Sequence, residues 1–435
     1  MRIAIISEVF LPKVDGVVNR TLNLIRELPR LGDELLTVCP RAPGCRDCPV
    51  PVVDVPSFSF VLYPEYRIGL PGSDLAEAIA RFAPDVIHYV NPFAFGFRCH
   101  DRLGEAGLRT PSVFSFHTLY GEFVKDYKLL KPLSALRWWL MRHYHNRADA
   151  NLTVSSIMQE DLARRGFRRV ELWPPAVNTV LFHPSSRSDA MRARMSNGRP
   201  ERPLLLTVSR LAPEKNVGFL ADVLRELPGA QLAVVGDGPH RAALERRFEG
   251  LDAHFIGYLK GKDLASAYAS ADAFVYASET ETMGNVVLEA MACGCPVIVP
   301  RAGGIPSLLS HGAAGFLYSP RDVPDAVACT RALLEDQSLR ERVGRDARQA
   351  MEGRGWDQSV GKVREAYVRA IDEYRRAPAP ATWSDSVARG TMSALVTAFR
   401  VMSWAADALG SSASQSGPTE VGAGAIQSRS PSSAA

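Results

Sequence analysis

No stretch of this 435-residue chain approaches the ~18 consecutive apolar residues of a membrane-spanning helix, so it does not read as an integral membrane protein. The apolar opening MRIAIIS stops at Ser7 and Glu8. That is too short for a secretory leader and fits a first buried strand. Neither sign of charge is in excess: 51 Lys and Arg face 47 Asp and Glu, leaving +4. So mild a balance gives no reason to expect a nucleic-acid partner. Cysteine is sparse, its seven residues odd in number and scattered, which excludes a secreted disulfide framework. Cys45 and Cys48 form a lone C-x-x-C with no second pair and no histidines beside it, while Cys293 and Cys295 read as small buried fillers. There is no D-x-D and no His/Asp cluster at ligand spacing, so neither a metal nor any other cofactor is expected.

What remains is an ordinary globular composition, 46% hydrophobic and 23% charged, long enough for roughly two to three domains. Short apolar runs alternate with helical stretches in two blocks. The first holds RIAIIS, ELLTVCP, DVIHYV, PSVFSFH and ANLTVSS; the second holds LLLTVSR, AQLAVVG, AHFIGY, AFVYAS, PVIVP and AGFLYS. Continuous apolar strands between helices predict α/β architecture with parallel sheets covered on both faces. Two Rossmann-like, doubly wound domains facing across a cleft follow, at 1–185 and 186–355. The Ser-, Arg- and Pro-rich stretch 178–203 reads as the connection. Ligands in such sheets lie beyond the carboxyl ends of the strands.

The residues with chemistry sit at those ends. Arg210 and Lys215 leave the loop after LLLTV, where a guanidinium fork and a mobile ammonium suit a diphosphate, although a solvated loop pair explains them equally well. Gly236 and Gly238 in VVGDGP form no full dinucleotide fingerprint and read first as a structural turn. In SETETMGNVVLEA, Glu281 and Glu289 bracket a helix start at Gly284, Asn285 and Val286. Unpaired N–H groups and the positive end of the helix dipole there could cradle phosphate, while acids near any helix start are also simply stabilising. Gly16, in KVDGVVNR, lets a ligand approach the backbone. His117 ends the strand SVFSF on the cleft side, where a structural histidine is the commoner outcome.

Together these residues resemble the retaining glycosyltransferases of family 4, which have the two-domain GT-B fold; the likeness runs from Met1 to about Ala377. The family's E-x7-E is matched by Glu281 and Glu289, and its R-x4-K by Arg210 and Lys215. The resemblance implies that Arg210 and Lys215 bind the donor diphosphate, that Glu281 meets the sugar hydroxyls and that Glu289 meets the ribose. It likewise implies that Gly16 belongs to the first domain's glycine loop, that His117 stands near the donor sugar, and that a helix over 356–377 crosses back to the first domain. Within the family, stretches such as MRARMSNGRPERPLLLTVSRLAPEKNVGFL are most similar to the branch that moves sulfoquinovose from UDP to diacylglycerol in sulfolipid synthesis. A mannosyl- or glucosyltransferase using GDP-mannose or UDP-glucose on a glycolipid or polysaccharide precursor is the alternative. A non-catalytic sugar-nucleotide-binding protein is the reading from another class, and loss of the glutamates or cations would have signalled it.

A lipid or glycolipid acceptor makes a peripheral contact with an anionic membrane, at the cytoplasmic face of the cell membrane, the expected setting. Lys125, Lys128, Lys131, Arg137, Arg142 and Arg147 are interleaved with Tyr127, Trp138, Trp139 and Tyr144, a pattern that suits such a surface. Residues 378–435 read as a low-complexity tail with one amphipathic helix at 391–409, its stripe being Leu395, Phe399, Met402, Ala406 and Leu409.

Overall fold

The computed structural model describes residues 1–13, 15–43, 48–60, 63–117, 134–281, 283–309, 314–376 and 383–413. Cys45 and the acceptor-side Lys125, Tyr127, Lys128 and Lys131 lie outside them, as does the tail beyond 413.

The chain begins with β1 (Arg2–Ser7), β2 (Glu34–Pro40), β3 (Val52–Val55), β4 (Ser57–Phe60), β5 (Tyr63–Gly69), β6 (Val86–Val90), β7 (Ser112–Phe116), β8 (Ala150–Thr153) and β9 (Val170–Leu172). All but β4 and β5 join one seven-stranded parallel sheet, in the order β3-β2-β1-β6-β7-β8-β9. Ile3, Ala4, Ile5 and Ile6 are fully buried because helices cover both faces, which is why β1 has no polar alternation. The antiparallel pair β4–β5 and the edge strands β3 and β9 were not legible in sequence. β3, β4 and β9 are short, partly exposed, and interrupted by residues such as Asp54 and Glu171, and β5, though seven residues long, carries Pro64, Glu65 and Arg67 in place of an apolar run.

The second sheet holds β10 (Leu204–Val208), β11 (Gln231–Val235), β12 (Ala253–Gly257), β13 (Ala273–Val275), β14 (Val297–Pro300) and β15 (Gly315–Tyr318), parallel and ordered β12-β11-β10-β13-β14-β15. Strand order reverses between β1 and β6 in the first sheet and between β10 and β13 in the second. Loops diverge at such switch points and leave a crevice, which is where an open α/β sheet takes its ligand.

Stretch 178–203 is more than a connection. Its helix Asp189–Met195 buries Met191 and Met195, and Arg192 grips Asp272 at 2.9 Å, so it is part of the second domain's packing. Composition missed this because the arginines that made the stretch look like a linker are spent on Asp272 and Asp252.

The helix Trp356–Arg376 returns to the first sheet, with Val360, Val363, Ala366, Tyr367 and Ala370 sharing a core with Ile3 and Ile5. A longer helix than the spacing predicts, Trp383–Ala413, then docks on the first domain. Its buried face runs through Ala388, Met392, Val396 and Ser403, Phe399 meets Phe60 edge-on at 4.9 Å, and Asp385 holds His143 and Arg147 at 3.1 and 3.0 Å. The predicted stripe is therefore wrong at Met402. That side chain is 42% exposed, next to Val401 at 59% and Trp404 at 73%, because the docked face passes through the neighbouring Ser403.

The interleaved aromatic run divides in the same way. Tyr144 is core, stacked on Phe97 at 4.2 Å with its hydroxyl donating to Asp101, and Trp138 and Trp139 are partly buried against the same core. Arg147 is committed to Asp385. Arg142 remains exposed. Alternation of cations and rings cannot by itself distinguish a wet face from a core-facing one.

Candidate active site

At the second sheet's switch point, the loops after β10 and β13 converge. Lys215, on a single 3-10 turn after β10, donates to Glu281 Oε1 at 2.5 Å, and both side chains are largely buried, at 23% and 17% exposure. The Tyr276 hydroxyl donates to the same oxygen at 2.6 Å. Burial pushes the Glu281 carboxyl up, but the Lys215 ammonium and the hydrogen bonds from Lys215, Tyr276 and Ser278 outweigh it and hold it below its ordinary value. Glu281 is thus an ionised acceptor at neutral pH. It is not a proton donor.

Backbone geometry fixes this carboxylate from behind. The Gly304 N–H donates to the Glu281 carbonyl at 2.7 Å. Gly303 has φ +60°, and a Cβ there would stand 2.4 Å from that same carbonyl oxygen, so only glycine fits. Tyr276 and Gly303 are site-building residues that sequence reading missed. The G-G of PRAGGIP was the available signal for the second.

Gly284, left-handed at φ 71°, begins the helix Asn285–Ala292 and has no side chain with which to cap it. The first-domain helix Gly16–Glu27 is different, because Asp15 Oδ1 accepts from Val17 and Val18 N–H at 3.0 and 2.9 Å. One helix start is filled by a carboxylate and the other is open to an anion. A Cβ on Gly16 would lie 3.3 Å from Asn285 Nδ2, so Gly16 permits the second domain's helix start to approach the first domain.

Glu289 lies one turn into that helix and is not brought to Lys215. Its Oε2 accepts from the Tyr268 hydroxyl at 3.0 Å, and burial raises its pKa to about 7, opposed by that bond. Arg210 is exposed just past β10, in a loop pinned to β11's exit by Leu211 N–H to Asp237 O at 2.9 Å. His117 is buried at the end of β7. Its Nε2 meets Ser115 Oγ at 2.9 Å and its ring packs on Trp173 at 5.1 Å.

Arg20 joins the two sides and was not anticipated. Fully buried, it lies over the Trp173 ring at 4.3 Å, donates to the Trp173 and Pro174 carbonyls, and reaches Met283 Sδ at 2.7 Å in the Glu281 loop. Burial lowers its pKa to about 9, which leaves it a cation at neutral pH. Among the described residues no group of three or more His, Cys, Asp or Glu is placed to hold a metal.

Facing parallel sheets with charged loops at both switch points define a class, and the comparisons specify it. Residues 14–181 match the family model described as Glycosyltransferase Family 4 and residues 191–350 the one described as Glycosyl transferases group 1; the chain belongs to this glycosyltransferase family and is an enzyme of that kind. It is 38% identical over 386 residues to the sulfoquinovosyl transferase of Arabidopsis thaliana, across 83% of this chain and 72% of the relative. It is 36% identical over 368 residues to the GDP-mannose-dependent alpha-mannosyltransferase of Mycobacterium tuberculosis, across 82% and 93%. Among solved structures, the sucrose-phosphate synthase of Thermosynechococcus elongatus superposes with a TM-score of 0.68 at 20% identity, over 85% of this chain and 99% of that one. Such neighbours place the architecture in the GT-B fold.

Proposed function

We propose that this enzyme transfers a hexose, with retention at the anomeric carbon, from a nucleoside-diphosphate donor to the hydroxyl of a lipid, namely sulfoquinovose from UDP to diacylglycerol. The observation that carries the reading is the Lys215–Glu281 pair beneath the open helix start at Gly284. Departure of a diphosphate concentrates negative charge on its oxygens. Arg210, Lys215 and the N–H groups of Asn285 and Val286 are the preorganised groups that would meet that charge. Glu281, held ionised, accepts from sugar hydroxyls, so no second carboxylate is needed at glycosidase distance. Retention then requires the acceptor hydroxyl to attack from the face the diphosphate leaves, with a departing phosphate oxygen taking its proton.

Similarity to the Arabidopsis enzyme favours the sulfonated donor. Mannosyltransferases matched over nine-tenths of their own length keep GDP-mannose as the second reading. A donor panel with diacylglycerol and mass detection separates them: a sulfonate-bearing lipid is expected, and a neutral hexosyl lipid made from GDP-mannose or UDP-glucose alone would replace the first reading by the second. Peripheral contact with an anionic leaflet at the cytoplasmic face fits a lipid acceptor. Exposed Val401, Met402 and Trp404 supply an apolar edge for it, and no helix among the described residues is long and apolar enough to cross a membrane.

Glu289 gives a pH prediction. The free enzyme holds it protonated below about 7, whereas two ribose hydroxyls are best accepted by a carboxylate. Affinity for an intact nucleotide-sugar, whose diphosphate does not titrate near neutrality, is therefore expected to rise up to about tenfold from pH 6 to 8. Binding at pH 6.5 should release a proton, seen by calorimetry as a heat that depends on buffer ionisation. Glu289→Gln should abolish both effects; their survival in that variant would assign them elsewhere.

A further inference from the structure

Arg20, the one buried arginine among the described residues, has no carboxylate partner there. It is 1% exposed, and no Asp or Glu among those residues opposes the fall in its pKa that burial causes. Weaker groups hold the guanidinium instead. Nη2 donates to the Trp173 and Pro174 carbonyls at 2.6 and 2.8 Å, Nη1 meets the Met283 thioether at 2.7 Å, and Nε is buried without a hydrogen-bond partner. Its charge lies over the Trp173 ring at 4.3 Å and the Trp356 ring at 5.9 Å.

Carbonyl dipoles and ring faces soften the burial of a cation, yet an apolar side chain filling the same space is commonly as stabilising or more so. A buried charge without a counter-ion is therefore a mark of a place that receives an anion. Its neighbours say which. Met283 immediately precedes Gly284, the uncapped start of the helix Asn285–Ala292. On the other side, the Arg20 charge adds to burial in holding His117 below its ordinary range. The guanidinium thus stands between the histidine that ends β7 and the helix start of the second domain. The two acids of the site are engaged elsewhere, Glu281 with Lys215 and Glu289 with Tyr268.

We infer that Arg20 is a positioning residue for the donor's diphosphate, a buried first-domain cation that clasps the Met283–Gly284 turn and lends its field to the anion bound there. This role rests on the proposed nucleoside-diphosphate donor and adds a demand to it. Arg20 and Gly284 belong to different domains, so the anion site has this third cation, beside Arg210 and Lys215, only while the domains are juxtaposed. A charge shielded from water acts over a longer distance than an exposed one, so Arg20 needs no contact with the ligand.

Arg20 can be followed without substitution. In arginine-selective 15N spectra of the full chain, a buried guanidinium gives N–H signals that exchange slowly with water, which singles out Arg20. UDP and GDP are titrated, each beside its own nucleoside. The diphosphate that binds is expected to move the Arg20 signal, and its nucleoside to leave it in place. Arg20→Gln should weaken that diphosphate about tenfold and the nucleoside by less than about twofold, while Arg20→Lys, which keeps the charge, should stay within about threefold of wild type. Loss of packing alone would weaken nucleotide and nucleoside together. Arg20→Met, apolar and of similar length, takes the place of Arg20→Gln should that variant fail to fold. A wild-type Arg20 signal unmoved by a bound diphosphate, or moved equally by the nucleoside, overturns the role, as does wild-type diphosphate affinity in Arg20→Gln. If the wild-type chain still transfers hexose, those results leave the proposed function standing; binding of neither diphosphate would remove both.

Discussion

Glu281→Ala is expected to lower kcat/KM at least about a thousandfold, and Lys215→Ala about a hundred- to a thousandfold, with the fold retained. The two side chains share a bond of 2.5 Å and are partly shielded from water, so each is the other's counter-charge before donor arrives. On the proposed function, donor binding would change that allegiance: the ammonium would gain the diphosphate and the carboxylate the sugar hydroxyls. Removing either residue deletes one expected ligand contact and leaves the other charge largely buried without its partner. Because the pair acts as a unit, the double variant should lose little more activity than the worse single one. Stability should behave differently. Each single variant strands a largely buried charge and should melt several degrees lower, whereas the double variant strands none and should melt no lower than either. Full transfer by either single variant with purified donor, or losses that simply multiply in the double, would count against the shared role.

The large features of this site could be read from the chain because they depend on neighbours in sequence. Continuous apolar runs revealed the strands, and Glu281 and Glu289 announced themselves by bracketing a helix start that has its own physical signature. What could not be read depends on topology. Tyr276 donates to Glu281, but its place at the end of a strand says nothing of where its hydroxyl points. Arg20 meets Met283 across 263 residues, and Tyr367 meets His88 across 279; no local pattern encodes such distances. The described part of the cation-and-ring run before Arg147 divides for a related reason. Its spacing is compatible with a wet face, and only the packing of Tyr144 on Phe97 shows which rings are core. Where a single residue had to be glycine, sequence could supply the turn but not the obstacle that enforces it.

Gly236 makes that obstacle measurable. At φ +131° its missing Cβ would stand 1.9 Å from the Ser209 carbonyl oxygen, the residue before Arg210. Two features then act together, a backbone conformation that L side chains rarely adopt and a contact no backbone can tolerate. The surrounding bonds allow little escape: Ser209 N–H donates to Val235 O, Leu211 N–H to Asp237 O, and Gly236 N–H to Gly257 O, at 3.1, 2.9 and 2.9 Å. Gly236→Ala is therefore expected to cost about 3–5 kcal/mol and to lower Tm by roughly 10 °C. Gly104, in the helix Ala94–Glu105 with nothing within 4 Å of a Cβ, is the control, and its alanine variant should be neutral or more stable by up to about 1 kcal/mol. The informative measurement is donor affinity well below the variant's Tm, where the protein is still folded. Relief of the clash moves the Ser209 carbonyl and with it Arg210, so affinity should fall there too, by about tenfold or more for a weakened charge-assisted bond. Wild-type affinity in a destabilised Gly236→Ala protein would show that the turn serves the fold alone and that Arg210 takes its position from elsewhere.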